Sequence, residues 1–366
     1  MIGAHVLVTG GAGFVGSNLV HTLLADGAER VHIVDNLLSA TFENVPDDAR
    51  VRLTVGSIAD DTVLAALRDE YDYVFHLATY HGNQSSIHDP IADHEHNLIT
   101  TLKLFERIAR FRRMRKVVYA GAGCAVAEKT FDDPTPTRED APISLHMDSP
   151  YSISKLVGEF YALYYHARHK LPTVRARFQN VYGPREVLGA GAWRGTPATV
   201  WRNVTPTFIW KALAGEALPL EGGGEASRDF IFVDDIVRGL IACAERGTPG
   251  DVYNLATGHD VSIRTLAETI NAATGNTTPP AILPARNWDR SGRRLGDPTK
   301  ARTELGFEAR TSLAEGIAAT VAWTRAHTPL ITRCIAQHRA AMAAYAAHAS
   351  DDPATSVAPT LTRHAA

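Results

Sequence analysis

Cysteine is scarce in this chain. The three residues, Cys124, Cys243 and Cys334, stand far apart and without metal-ligand spacing. That excludes a disulfide-stapled scaffold and fits a reducing compartment with free thiols. An excess of one charge is missing too: 37 Lys and Arg against 40 Asp and Glu leave a formal net charge of −3. No basic stripe is interleaved with aromatics, so nothing favours a nucleic-acid partner. The densest positive run, Arg112-Arg113-Met114-Arg115-Lys116, reads as a solvated helix end. Long apolar runs are absent, which argues against a membrane span. The first strand begins by residue 5, leaving no room for a signal peptide, and a cytoplasmic location is expected. The 16 histidines are scattered, and His94-Glu95-His96 lacks the helical spacing of a zinc motif, so no metal is expected. The remainder is ordinary for a globular protein, with 45% hydrophobic and 21% charged residues in a 366-residue chain. That length suits one large domain or two modest ones.

The most informative stretch is residues 5–16, HVLVTGGAGFVG. An apolar run ends in glycines at 10, 11, 13 and 16, and a helical pattern follows. Such a strand–turn–helix presents backbone N–H groups and a positive helix end to a pyrophosphate. Gly10 permits the turn, Gly13 lets the backbone approach the phosphates, and Gly16 allows close helix–strand packing. Val31-His32-Ile33-Val34-Asp35 follows as a second strand ending in an acid, at the distance where an adenosine ribose needs a carboxylate. Asp35, rather than a basic residue, favours NAD over NADP.

Short apolar runs at 51–55, 73–77, 116–120 and 173–178 alternate with helical patterns at 62–69, 97–110 and 152–169. This alternation predicts an α/β fold, a Rossmann-type doubly wound parallel sheet with a smaller C-terminal α/β substrate lobe. We expect residues 1–183 and 230–256 in the dinucleotide domain and 184–229 with 257–326 in the lobe. Residues 184–229, rich in Gly, Trp, Arg and Thr, have the composition of a segment that wraps a ligand. Residues 251–255 read as one more strand. Residues 327–366 form an extension: an Ala-rich helical run at 329–347, then a Pro/Ser/Thr-rich tail expected to be disordered.

Tyr151 and Lys155, four residues apart at the start of the helix after the fifth strand, share one helical face. An ammonium beside a phenol favours phenolate, which can take a proton from a sugar hydroxyl. TGGAGFVG, the acid at Asp35, His76-Leu77-Ala78, Tyr151 with Lys155, and RFQNVYGPRE at 177–186 together resemble the extended short-chain dehydrogenase/reductase family. Within it, the chain is similar to the NAD-dependent nucleotide-sugar epimerases and dehydratases. The resemblance covers about residues 5–325 and implies resident NAD and a nucleotide-diphosphate-sugar substrate. Tyr151 would be the acid/base, with Lys155 on the nicotinamide ribose and lowering the tyrosine pKa. Phe14, Val15, Asn36, Ser57, Ile58, Leu77, Ala78, Thr79 and Asn97 join Gly10, Gly13, Gly16 and Asp35 as expected cofactor contacts. His81, Ser86, Asn180, Thr207, Arg228 and Arg293 are the expected substrate contacts, the arginines aimed at the nucleotide and the diphosphate. A homodimer built on helices 98–111 and 155–169 is also implied.

The departures carry information as well. Ala122 falls where relatives place a Ser or Thr hydroxyl, and Gly123 and Cys124 fall where the 4,6-dehydratases keep their acid and base. Cys124 is either a proton-transfer or hydrogen-bonding thiol in the site or a small buried hydrophobe. The leading expectation is an epimerase acting at C4 of a nucleotide hexose through a 4-keto intermediate. The alternatives are a dehydratase, a dehydrogenase, or a catalytically silent nucleotide-binding scaffold.

Overall fold

Seven apolar runs pair as one parallel sheet in a computed structural model that describes residues 1–127, 130, 132–145, 147–286 and 292–351. The strands are β1 (His5–Thr9), β2 (Arg30–Asp35), β3 (Val51–Val55), β4 (Tyr73–His76), β5 (Lys116–Ala122), β6 (Thr173–Phe178) and β7 (Val252–Leu255), in the order β7-β6-β5-β4-β1-β2-β3. Side chains alternate across a strand, so β1 serves two cores at once. Val6 and Val8 pack with Leu19, Leu23, Ile236 and Leu240 of the Phe14–Ala25 and Val233–Arg246 helices. Leu7 packs on the opposite face with Leu104, Phe105 and Tyr165 of the Thr100–Ile108 and Pro150–His169 helices. With both faces covered, near-continuous apolar strands are required, as the sequence shows. The strand order reverses between β1 and β4, and a crevice opens beyond their carboxyl ends.

A third core joins Phe208, Ile209, Leu266, Ile270, Ile317 and Val321, from the Val204–Leu213, Ile263–Thr274 and Leu313–Ala326 helices. It is separate from the two cores of the sheet. The expected lobe boundary differs at one point: Ala301, Leu305 and Phe307 join the sheet core, because the Thr299–Leu305 helix turns its apolar side to β7 and the Val233–Arg246 helix. The expected C-terminal helical run is two helices, Thr328–Ala336 and Arg339–Asp351, parted at Gln337 and His338. The tail expected to be disordered lies, from residue 352, outside the described residues.

One buried ion pair fixes the Pro150–His169 helix against the sheet. Glu159 is 1% exposed and receives Arg177 of β6 in a fork, Nε at 3.0 Å and Nη2 at 2.9 Å, while Arg175 Nη1 stands 3.6 Å away. A Cβ on Gly121 of β5 would lie 2.6 Å from Glu159 Oε1, so only glycine lets the carboxylate in. Breaking one partner strands a buried charge, which costs far more than the intact pair contributes. Arg177→Met is therefore expected to destabilise the fold by about 3–5 kcal/mol in urea titration. Adding Glu159→Leu should recover most of that loss, and a double variant no more stable than the single would contradict this account.

Candidate active site

The crevice is a cavity of about 780 Å³ whose floor is the glycine turn. Gly10 has φ +77°, and a Cβ there would lie 2.7 Å from the Ala78 nitrogen of the neighbouring strand end. A Cβ on Gly16 would overlap the Gly10 carbonyl oxygen. Gly13 precedes the first turn of the Phe14–Ala25 helix, and Gly13, Phe14 and Val15 all line the cavity. Asp35 closes β2 with Oδ2 accepting from Ala12 N at 3.0 Å and Oδ1 from Leu37 N at 2.8 Å. Burial pushes its pKa up, while the hydrogen bonds from Leu37, Ala12 and Gly13 pull the other way. Asn36, Ser57, Ile58, Leu77 and Ala78 line the same wall. A helix N-terminus without side chains at its approach, beside a fixed carboxylate, fits a dinucleotide: backbone amides for the pyrophosphate and Asp35 for the ribose hydroxyls.

The Pro150–His169 helix delivers Tyr151 and Lys155 to the far end of this cavity. Ser149 caps the helix, accepting from Ser152 N, and Ser86 accepts from Tyr151 N at 3.2 Å while donating to Asn83 O. Ser86, an expected ligand contact, spends its hydroxyl on the helix start, and Ser85 lines the cavity instead. Lys155 is buried with Nζ over the Tyr119 ring, 4.8 Å from its centroid. Burial lowers its pKa to about 8, against the opposing pull of Glu159, Asp93 and Cys124. Burial also raises the Tyr151 phenol, with Cys124 and Asp93 adding to the effect and the Thr79 hydroxyl opposing it. The phenol is thus raised and not lowered, and the Lys155 ammonium, expected to lower it, lies over the Tyr119 ring.

Asn97, expected among the cofactor contacts, does not line the cavity. A single π-helical stretch, His94–Ile99, turns it inward, where its Oδ1 accepts from Tyr80 N at 2.6 Å and Thr79 Oγ1 at 2.8 Å. Its Nδ2 donates to Asp93 at 2.7 Å and Ser154 at 3.2 Å. The carboxamide is fully used in fixing the Thr79–Tyr80 turn beside the phenol.

Among the expected substrate contacts, His81 meets the Tyr151 ring edge-on at 6.2 Å, its Nδ1 buried with no hydrogen-bond partner among the described residues. Burial, with Arg202, Arg194 and Lys155 nearby, lowers the His81 pKa to about 3, so it is a neutral ring and not a charge carrier. Thr207 and Asn180 line the cavity, as do Ala122 and Cys124, both beside Tyr151 in one small apolar cluster. Arg228 reaches the cavity on strand Ser227–Arg228, which pairs with strand Arg293–Arg294 in the register Arg294↔Arg228. Alternation along a strand then decides between the neighbouring arginines. Arg294 lies beside Arg228 and lines the cavity, whereas Arg293 turns to the other side and pairs with Asp260 at 3.0 Å and with Asp133. Of the two neighbours, Arg294 and not the expected Arg293 reaches the cavity. Two further cavity residues escape a reading of the sequence. Gln179 fills the space that a Cβ on Gly123 would need, which the glycine itself hints at, and Glu186 is buried with its carboxyl raised to about 7 by burial. Among the described residues no three His, Cys, Asp or Glu side chains cluster to hold a metal, and no helix is long and apolar enough to cross a membrane.

Comparison with known proteins bears on this site. The Bordetella bronchiseptica enzyme WbmF, solved in complex with NAD+, superposes with a TM-score of 0.85 at 59% identity, covering 94% of this chain and 99% of that one. The same enzyme has also been solved with NAD+ and UDP. The UDP-glucose 4-epimerase of Mycolicibacterium smegmatis is 34% identical over 327 residues, 88% of this chain and 98% of its own length. A dTDP-glucose 4,6-dehydratase of Streptomyces griseus is 32% identical over 340 residues, 88% of this chain and 94% of its own length. These relatives are enzymes, which sets aside the silent scaffold. Residues 6–256 match the NAD dependent epimerase/dehydratase family, a match that takes in both the glycine cradle and the Tyr151–Lys155 helix; the chain belongs to that family, and NAD is its cofactor.

Proposed function

We propose that the protein epimerises C4 of a nucleoside-diphosphate hexose, with a uridine diphosphate sugar as the first candidate. The observation that carries this is the wall facing Tyr151. At the end of β5 and just beyond, it offers Ala120, Gly121, Ala122 and Cys124, and among the described residues no carboxylate stands on it to drive an elimination. When bound, NAD supplies a two-electron acceptor that is reduced and reoxidised within one cycle. Tyr151 exchanges the proton of the sugar 4-hydroxyl, so that a 4-keto sugar forms and turns over in the pocket. Lys155, as a buried cation behind the phenol, stabilises negative charge as the proton leaves. Ala122 contributes only a methyl, and the hydroxyl beside the phenol comes from Thr79, held by Asn97 at 2.8 Å. Arg228 and Arg294, side by side, suit the diphosphate, and Thr207, His81 and Asn180 face the sugar.

Glu186 favours a second reading. A buried carboxyl held to about 7 in the same cavity, with Oε2 lacking a partner among the described residues, is a usable acid for dehydration. Incubating the enzyme with UDP- and dTDP-hexoses and weighing the products separates the two. Unchanged mass with inverted C4 supports epimerisation, while loss of one water makes the protein a dehydratase.

The exposed face of the Pro150–His169 helix carries Ile153, Phe160, Leu163 and Tyr164, with Ile87 and Ile91 alongside. We read it as a contact for a second copy, giving a homodimer, and assign the enzyme to the cytoplasm, in keeping with three free cysteines.

Tyr151→Phe is expected to abolish turnover while NAD still co-purifies, which absorbance of the protein after denaturation would show. Thr79→Val should lower kcat by about 100-fold with Thr79→Ser close to the parent, as for loss of one positioned hydroxyl. Lys155 is cationic below its pKa of about 8 and loses the proton above it, so kcat should fall as pH rises through about 8. A rate that instead climbs across that range would show that Lys155 does not act as the cation behind the phenol.

A further inference from the structure

The two C-terminal helices lie beyond residue 256, where the family match ends, and the chemistry above makes no use of them. They grip one place. Gln337 Nε2 donates to Gly189 O at 2.7 Å and to Gly191 O at 3.0 Å, and His338 Nε2 meets Gly189 O at 2.9 Å. Since a carbonyl only accepts, His338 must carry its proton on Nε2. Gly189 sits so close to the helix that a Cβ there would lie 2.5 Å from Cys334 O. Beneath these bonds Val187, Leu188 and Ala190 are buried against Ile331 and Cys334.

The gripped segment is a wall of the cavity. Val187, Ala190 and Arg202 line it together with Asn36, Leu38 and Ser39, the residues that follow Asp35. Ala192 N donates to Leu38 O at 3.0 Å, and the Gly191 backbone is pressed against that same carbonyl. Arg202 bridges the two sides, donating to Ser39 O at 3.0 Å and to Ala190 O at 2.9 Å. Arg333 adds an ion pair to Glu43, whose neighbour Asn44 donates to Ala12 O in the glycine turn at 3.3 Å. A continuous set of bonds thus runs from the C-terminal helices to both shores of the dinucleotide site.

We propose that this helix pair is a clasp that holds residues 187–191 over the Asp35 side of the cavity and thereby sets how slowly NAD leaves, with Gln337 and His338 as its positioning residues. The inference rests on the cofactor assignment and not on the sugar chemistry. An enzyme whose cofactor is regenerated every cycle gains from slow release, and a wall braced from outside supplies it without adding a group to the reacting centre.

The test is the release rate of bound NAD from the full-length enzyme, followed by exchange against a fluorescent NAD analogue in excess. Gln337→Glu combined with His338→Ala removes the N–H donors and sets a carboxylate against two carbonyls. Release should accelerate by about tenfold or more, as expected for two or three lost hydrogen bonds. With NAD saturating, kcat should stay within about twofold of the parent, since the Tyr151–Lys155 helix is untouched. Gln337→Arg, which keeps N–H donors, should release NAD at the parent rate. Unchanged release in the double variant would overturn the clasp. So would a loss of kcat at saturating NAD in step with a lowered thermal midpoint, which would make these helices general ballast.

Discussion

The site exists because one helix is held at one depth on the sheet. Lys155 and Glu159 stand a turn apart on the Pro150–His169 helix, and Glu159 is locked into the Arg177 fork of β6 beside a β5 glycine. Fixing Glu159 fixes the turn that carries Lys155, whose ammonium rests over the Tyr119 ring face. At its other end the helix starts where Ser86 receives the Tyr151 amide. The phenol is therefore set by two anchors, neither of which touches the ligand cavity. Moving either would shift the phenol against the glycine cradle.

How much of this is legible in the sequence follows from what each residue's position depends on. The cradle and Asp35 depend on local chain geometry, a turn and a strand end, so their residues can be read directly from the glycines and the acid. The Tyr151–Lys155 pair depends only on helical spacing and is equally plain. Asn97 and Ser86 are harder. Their type suits a ligand, but their hydrogen bonds go to Tyr80, Asp93 and the Tyr151 amide, partners that only tertiary packing brings within reach. Arg293 and Arg294 are the sharpest case. Neighbours on a strand face opposite sides, and nothing in the sequence tells which side is the cavity until the pairing with Arg228 is known.

Electrostatics explains why so few acids stand near the reaction. Lys155, Arg194 and Arg202 are all buried or nearly so, and each has its pKa lowered by burial. His81, among them, is kept neutral. Of the described carboxylates close to this group, Glu159 is taken up by the Arg177 fork, and Asp93 and Glu186 are both raised by burial. The cavity is thus a place where positive charge is expensive and only partly compensated, which a ligand bearing diphosphates relieves. Binding and site stability are then linked: the buried cations are costly on their own, and the anionic ligand completes the site.

Packing on two sides accounts for the 187–203 segment, which the sequence marks only as rich in Gly, Trp and Arg. Its glycines at 189 and 191 have positive φ and lie against backbone on opposite sides, Cys334 for one and Leu38 for the other. A side chain at either would pry the segment from one neighbour. Arg202 explains the remaining composition, since a long forked donor is what three carbonyls on two strands of chain require. Trp193 packs on the His338 ring at 5.8 Å and does not line the cavity, while Trp201 does, so the two tryptophans divide the tasks of anchoring and lining. An aromatic-rich insertion over a cofactor site therefore needs a partner on its outer face, and in this chain the C-terminal helices are that partner.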